Sequence, residues 1–339
     1  MIDILALLQH LSPYVDMTTI RQMSRIILAM LAMTGRVTML GISRWTEEGG
    51  SYRTVQRFFH TVIPWAMLFW LFFQRHLLDP QATYFLAGDE CVVTKSGKET
   101  HGLDRFFSSL YGKPVPSLAF FALSLVHVQE RRSYPMMVEQ VMRTEEEKKA
   151  AKAKQAAKKK KTKGKSGRPK GSKNRDKTQV GLTRIQQMVQ KLLSLIMGVL
   201  SLEHLVMDGH FGNNNAVQMV WQCGLYLISK LRHDSALYFR YDGPYGGSGA
   251  PRKYGDKINY ASIPAQYLKA TTTEKDVRTD IYQADMLHKE FAQALNVVII
   301  VKTHIKTGAW AHVVLFSNDL TLDYDRLMDS LPYTFKKVI

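Results

Sequence analysis

Hydrophobic residues recur at helical spacing through the first 80 or so residues of the chain. The stretch TTIRQMSRIILAMLAMTGR predicts a helix with Thr18 or Thr19 as its N-cap and Gly35 near its end. Shorter helices are predicted in VTMLGISRW, GSYRTVQRFFH and the apolar run VIPWAMLFWLFF. Arg53 and Arg57 lie in the second of these, near hydroxyl residues. Two interpretations stay open: a helix-turn-helix-like DNA-binding unit, or a helical cap with solvated arginines.

Beyond residue 83 the period of the pattern changes. YFLAGD, RFFSSLYG and SLAFFALSLVHV are rich in aromatic and aliphatic residues and predict strands. GLTRIQQMVQKLLSLIMGVLSLE then predicts a long helix, and HLVMD a short strand that ends at Asp208. Further strands are predicted in LYLISKLRHDSALYF, LNVVIIVKTH and WAHVVLFSND. The pattern therefore predicts an α/β fold with a helical domain at 1–80 and a sheet-containing domain at 81–339.

Positive charge is concentrated in one segment. The chain of 339 residues carries a net charge of +17, of which residues 145–177 contribute +11. This segment has almost no apolar residues, so we expect a basic disordered insertion at 145–178. Its SGRPKGSKNR part resembles an AT-hook only in part, and a general phosphate-binding role for Lys165, Arg168 and Lys170 is the safer interpretation. The charge favours a nucleic-acid partner.

Membrane and extracellular roles fit the sequence poorly. The longest apolar runs are shorter than the roughly 20 residues that a spanning helix needs, so we expect no membrane partner. Cys91 and Cys223 show neither metal-ligand nor disulfide spacing, which favours a reducing compartment, the cytoplasm.

Two aspartates carry the candidate chemistry. Asp89 and Asp208 each follow an apolar strand and have a glycine neighbour. Sites gather at the carboxyl ends of strands in open α/β sheets, and paired carboxylates suit Mg²⁺ and metal-assisted phosphodiester cleavage. The alternative is that each aspartate is only a turn residue. Glu90 stands beside Asp89 and is not assigned a role.

The segments around these aspartates resemble insertion-sequence DDE transposases. GDECVVTKSGKETHGLDRFFSSLYG resembles the start of that family's catalytic domain, LEHLVMDGHFGN its second-aspartate segment, and TGRVTMLGISRW its N-terminal region. The resemblance implies an RNase H-like mixed sheet flanked by helices, with a helical N-terminal DNA-binding domain and a β-rich insertion at about 225–320. It also implies Mg²⁺ or Mn²⁺, held by Asp89 and Asp208. The implied partner is double-stranded DNA, both element ends and target, bound by a homodimer on paired ends.

The third acid of the family is not identified. It is a glutamate on a helix after the β-rich insertion, whereas no glutamate follows Glu290 before the chain stops at Ile339. We therefore expect a truncated or frameshifted transposase that is weakly active or inactive alone. A non-catalytic DNA-binding remnant that occupies element ends is the alternative, and an unrelated RNase H-like nuclease is a third interpretation.

Three further basic residues are candidates for DNA contact. Lys95 and Lys98 follow Asp89 closely and are either phosphate contacts or solvated lysines. Arg232 either contacts DNA or pairs with Asp234.

Overall fold

In the computed structural model the chain divides into two units, Met1–Pro80 and Gln81–Ile339. The structure describes residues 3–45, 51–97, 99–149, 153, 176–179 and 181–330. Most of the basic insertion, with its AT-hook-like segment, lies outside them. The same holds for the candidate residues Lys98, Lys165, Arg168 and Lys170.

The first unit is helical. Its helices are α1 (Ile4–Leu8), α2 (Met17–Ala32), α3 (Met39–Trp45), α4 (Tyr52–His60) and α5 (Trp65–His76), with a 3₁₀ turn at Gln9–Leu11. Their apolar residues form one core, in which Ile20 and Met23 of α2 join Val55 and Phe58 of α4.

The start of α2 corrects the predicted N-cap. Asp16, not Thr18 or Thr19, is the N-cap residue. Its carboxylate accepts hydrogen bonds from the Thr19 amide at 2.9 Å and from the Thr19 hydroxyl at 2.7 Å. A carboxylate caps well because it satisfies a free amide and carries the charge that the helix N-terminus favours.

Within the described residues the second unit holds twelve strands, and three α-helices whose bounds lie wholly among those residues. The strands are β1 (Tyr84–Thr94), β2 (Asp104–Ser108), β3 (Lys113–His127), β4 (Arg132–Val141), β5 (His204–Met207), β6 (Tyr226–Leu231), β7 (Leu237–Arg240), β8 (Tyr254–Lys257), β9 (Leu268–Glu274), β10 (Val277–His288), β11 (Leu295–His304) and β12 (Trp310–Ser317). The helices are α6 (Arg184–Ile196), α7 (Asn214–Gln222) and α8 (Tyr324–Asp329).

Helix α6 is shorter than the long helix predicted from the sequence. It ends at Ile196, and Gly198 then adopts φ +82°. Glycine reaches this left-handed region at no steric cost, and it commonly ends helices for that reason. The apolar residues beyond it belong to a turn that leads into β5.

The strands form one mixed sheet. Its order is β2-β3-β1-β5-β6-β12-β11-β10-β7-β8, with β4 also paired to β3 and β9 to β10. Strands β1, β5 and β6 are parallel, whereas β3 and β4 are antiparallel additions on the other side of β1. This arrangement confirms the predicted α/β fold and is that of an RNase H-like sheet. β6 lies within the range of about 225–320 predicted for the β-rich insertion, but it pairs in parallel with β5. The strands that follow it, β7 to β12, extend the sheet beyond the parallel strands β1, β5 and β6.

The two faces of the parallel centre differ in what covers them. We call the face that carries Phe85, Ala87 and Val206 the front face. These residues share an apolar cluster with Leu327 of α8, so α8 lies on the front face. Two hydrogen-bond donors, the side chains of Gln283 and Asn296, hold the Leu322 carbonyl just before this helix, at 2.9 and 2.7 Å.

The opposite face, which we call the back face, carries Gly88 and Leu123. Helix α6 covers it: Lys191 of α6 pairs at 3.8 Å with Glu139 of β4, which lies opposite Phe121 on this face. Helix α7 is joined to α6 by a 3.0 Å hydrogen bond between Gln186 and Gln222.

Candidate active site

Strand register brings Asp89 and Asp208 side by side. In the parallel pair β1–β5, Ala87 lies opposite Val206 and Gly88 opposite Met207. The next residue along each strand is the aspartate. Side chains alternate between the two faces of a sheet, so both carboxylates project on the front face, two residues beyond Ala87 and Val206. Neighbouring strands lie about 4.8 Å apart, which puts the two aspartates next to each other.

Asp89 does not end its strand, and in this detail the sequence prediction is wrong. β1 continues to Thr94 because β3 pairs with it as far as Ser117. What ends near Asp89 is the parallel pairing, since the last paired residue of β5 is Met207. Asp89 is therefore exposed beside the strand end of β5, while Asp208 is half-buried.

Hydrogen bonds fix Asp208 at both its backbone and its side chain. It is the N-cap residue of the 3₁₀ turn Gly209–Phe211, and its Oδ1 accepts from the His210 amide at 3.1 Å. Its backbone carbonyl accepts from the hydroxyl of Ser229, a fully buried residue of β6, at 2.7 Å. A side chain held in this way meets the positional demand of a catalytic or metal-binding group.

A close approach between backbones holds the turn after Asp208. A Cβ added to Gly212 would stand 2.1 Å from the carbonyl oxygen of Lys230. No side chain fits in this space, so the second glycine of DGHFG is required for the turn to pack on β6. At Gly209 the nearest atom to an added Cβ is 3.6 Å away, an ordinary contact.

Glu90 belongs to the other face. It lies opposite Phe121 in the β1–β3 pair and is one residue from Asp89, so its side chain projects on the back face. The packing there is tight beside it, because a Cβ on Gly88 would meet Cζ of Phe121 at 2.9 Å. Alternation thus separates two carboxylates that are adjacent in sequence.

Lys230 is a site residue that sequence reasoning missed. In the parallel pair β5–β6, Val206 lies opposite Ile228, so Lys230 follows in the same row as Asp208 and on the front face. Its side chain runs beside Gly209 and is half-buried. Burial lowers the pKa of its ammonium group. The alternation of ISKL was the signal in the sequence, but it has meaning only once the strand register is known.

A comparison with protein families gives a match over most of the chain. The model of a family described as DDE superfamily endonuclease matches residues 7–290. The chain belongs to this family. A search of curated proteins found no match. The family resemblance inferred from the sequence is thereby confirmed, and membership implies a DNA substrate and an endonuclease-type chemistry.

The DDE endonucleases generally use divalent metal ions, and the residues present here suit one. Asp89 and Asp208 offer hard oxygen donors from adjacent strands, and Mg²⁺ is commonly bound by one or two carboxylates together with waters and phosphates. Among the described residues, no group of three or more histidine, cysteine or acidic side chains is placed to hold a metal ion. The described residues therefore suit a metal site formed by two carboxylates, those of Asp89 and Asp208.

Two aspartates that follow the β-rich part of this DDE family member occupy turn and cap positions. Asp319 accepts from both the amide and the hydroxyl of Thr321 and pairs with His204 at 2.9 Å. Asp323 stands at the N-cap position of α8, where its side chain makes no capping hydrogen bond. Both are turn or cap residues, and neither joins the carboxylate pair.

The remaining basic candidates that the structure describes are all exposed. Lys95 is six residues beyond Asp89 along extended chain, roughly 20 Å away. Arg232 forms an exposed ion pair with Asp234, at 3.0 and 3.2 Å. In the first unit, Arg53 and Arg57 are exposed on α4. Of the helices that the structure describes in this DDE endonuclease, none has the length and apolarity that crossing a bilayer demands.

Proposed function

We propose that the chain is a DNA transposase of a bacterial insertion sequence, acting in the cytoplasm on the ends of its element and on target DNA. The observation that supports this most directly is the register of Asp89 and Asp208. They lie on one face, side by side where the parallel pairing of β1 and β5 ends, in a member of the DDE endonuclease family. The reaction is cleavage of phosphodiester bonds followed by transfer of the strands.

In this proposal Asp89 and Asp208 hold Mg²⁺ or Mn²⁺. When bound there, such an ion would supply Lewis-acid activation of the attacking oxygen and charge stabilisation of the leaving oxygen. Asp208 is kept in position by Ser229 and by the turn that it caps. On the other side of Asp89 the front-face residue of β3 is Ala122, a small and half-buried side chain. The side chain directly beside Asp89 on β3 is therefore small, and the larger Phe120 follows two residues away on the same face.

DNA binding is assigned in part to α4. Its apolar residues Val55 and Phe58 are buried in the helical core, whereas Arg53, Gln56 and Arg57 are exposed together on the other side. The helix contains no acidic residue. Arginine contacts phosphates and guanine edges, and glutamine contacts adenine edges. This is the surface expected of the second helix of a helix-turn-helix unit.

The basic insertion adds a contact that does not depend on sequence. Residues 145–177 hold thirteen lysines and two arginines against four acidic residues. Each phosphate that they neutralise releases counterions, so binding should weaken steeply as salt rises. Shortening this insertion should flatten the salt dependence without removing the recognition by α4.

A second candidate function is binding of element ends without efficient cleavage. It is favoured by one observation, that the described residues offer two carboxylates and no third metal-binding side chain beside them. Such a protein would occupy the ends in competition with an active transposase. We expect its DNA affinity to be independent of Mg²⁺.

The test is nicking of a supercoiled plasmid that carries the element, in Mg²⁺ or Mn²⁺, by the full chain. Asp89→Asn and Asp208→Asn remove a charged ligand while keeping the shape of the side chain. Glu90→Gln is the matched control, because it makes the same change one residue away on the back face. DNA binding by each variant is measured in EDTA.

The proposed function predicts that the wild type and Glu90→Gln nick the plasmid at similar, low rates, because no third acid is identified, whereas the two asparagine variants bind DNA but lose nicking by at least ~10²-fold. Binding by the wild type without nicking would favour the second candidate. Equal losses in all three variants would contradict the assignment of faces.

A further inference from the structure

Lys230 continues the row that the two aspartates begin. Asp89, Asp208 and Lys230 lie at equivalent positions on three adjacent parallel strands, each two residues beyond an apolar front-face residue, namely Ala87, Val206 or Ile228. With strands about 4.8 Å apart, the row places Lys230 directly beside Asp208 and two strand spacings, roughly 10 Å, from Asp89. This is the end of the sheet where the family's DNA substrate must lie if the aspartates are catalytic.

The surroundings of Lys230 direct its side chain along the row. Across the sheet, its neighbour on β12 is Leu315, a fully buried residue of the apolar front-face cluster. Its stem passes beside Gly209, the residue after Asp208. Apolar packing on one side and a turn on the other restrict the stem, so less conformational entropy is lost when the ammonium group binds an anion.

We propose that Lys230 contacts the phosphate that Asp89 and Asp208 present for cleavage, and that it stabilises the negative charge of that phosphate. This inference rests on the proposed function. A lysine is suited to the role because its ammonium group is a compact charge with three donors. The other role open to it is to balance the charge of the carboxylates, with no contact to DNA.

The test uses three variants of the full chain. Lys230→Met removes the charge and keeps the length of the stem, and Lys230→Arg keeps the charge. Lys306→Met is the control: it removes the same charge from the β11–β12 turn, where Lys306 pairs with Asp276. Extended strand geometry puts that turn roughly 20 Å from Lys230.

Two measurements are made on each variant. The first is the affinity for a random-sequence duplex in EDTA as salt is varied, which does not depend on cleavage. We expect Lys230→Met to lower the slope of log K against log salt by about 0.9 relative to Lys306→Met, as for one lost phosphate contact, and Lys230→Arg to keep it. The second is plasmid nicking in Mn²⁺, where we expect Lys230→Met to lose ~10²-fold and Lys230→Arg less than ~10-fold.

The possible outcomes separate this inference from the proposed function. If the wild type neither binds nor nicks DNA, the proposed function fails. If the wild type binds but Lys230→Met keeps the slope of Lys306→Met, Lys230 does not contact phosphate and this inference alone is overturned. Equal loss of nicking in the methionine and arginine variants would also overturn it, because the shape of the side chain, rather than its charge, would then be what matters.

Discussion

Replacing Gly212 by alanine should displace Asp208 without touching it. The new Cβ would stand 2.1 Å from the Lys230 carbonyl oxygen, whereas ordinary Cβ contacts begin above 3.0 Å, so the turn must retreat by roughly 1 Å. Overpacking of this kind costs about 1–3 kcal/mol. Loss of the 2.7 Å bond from Ser229 to the Asp208 carbonyl adds about 1 kcal/mol. We expect Gly212→Ala to lower the free energy of unfolding by a total of about 2–4 kcal/mol.

Gly209→Ala is the matched control, three residues away in the same turn. Its Cβ would make an ordinary contact at 3.6 Å, so we expect a change in unfolding free energy within about 0.5 kcal/mol. The assay is urea unfolding of both variants, followed by circular dichroism, together with Mn²⁺ affinity. We expect Gly212→Ala to weaken Mn²⁺ binding as well, because a shift of about 1 Å misplaces a ligand. Similar stabilities for the two variants would refute the close approach on β6.

Two further predictions concern the support of α8 and DNA binding. Burial alone would raise the pKa of Asp319, but the hydrogen bonds from Thr321 and His204 outweigh it and hold that pKa below its ordinary value of 3.8. Because the pKa of Asp319 is lower in the folded protein than in the unfolded chain, its carboxylate stabilises the fold at pH values above the unfolded pKa. This stabilisation is lost as the pH falls through the folded pKa. Asp319→Asn should therefore lower the free energy of unfolding by about 1–3 kcal/mol at pH 7. The difference in unfolding free energy between this variant and the wild type should narrow below about pH 4, and a difference that does not change with pH would contradict the prediction. Arg53→Ala with Arg57→Ala should lower the slope of log K against log salt by about 1.8 in fluorescence anisotropy with duplex DNA. Arg25→Ala, an exposed charge on α2, should lower it much less, and equal effects would place the DNA surface elsewhere.

The elements of the fold follow closely from local patterning. Apolar periodicity predicts α2 through α5, and aromatic and aliphatic runs predict β1 to β3, β5 and β6, because the spacing of apolar residues shows which face of an element is buried. The exact bounds of these elements do not follow from local patterning where they depend on a neighbouring strand or on the backbone of a single residue. The length of β1 beyond Asp89 is set by β3, which is distant in sequence, and the end of α6 is set by the backbone of one glycine.

The residues of the site could likewise be predicted only in part from local patterns. Asp89 and Asp208 stand out because a carboxylate directly follows an apolar run. That they are neighbours is a matter of strand register, which the sequence does not contain. Lys230 escaped notice because a single lysine in ISKL looks like any solvated residue until β6 is placed beside β5. Arg232 was more conspicuous, yet its carboxylate partner is two residues away.

The central claim is that a divalent ion binds between Asp89 and Asp208, and Cys91 gives a direct probe of it. This exposed thiol lies two residues beyond Asp89 on the same strand and the same face, about 7 Å away. Burial raises the pKa of the Cys223 thiol to about 11, so a nitroxide reagent at neutral pH should label Cys91 selectively. A Cys223→Ser background removes the second thiol altogether.

The measurement is the broadening of the nitroxide signal by Mn²⁺, observed by electron paramagnetic resonance. We predict that Mn²⁺ broadens the signal and that excess Mg²⁺ restores it. Glu90→Gln should behave like the parent protein, whereas Asp208→Asn should need far more Mn²⁺ for the same effect. Broadening that is equal in Asp208→Asn and the parent, or absent from both, would contradict a metal site at this pair of carboxylates.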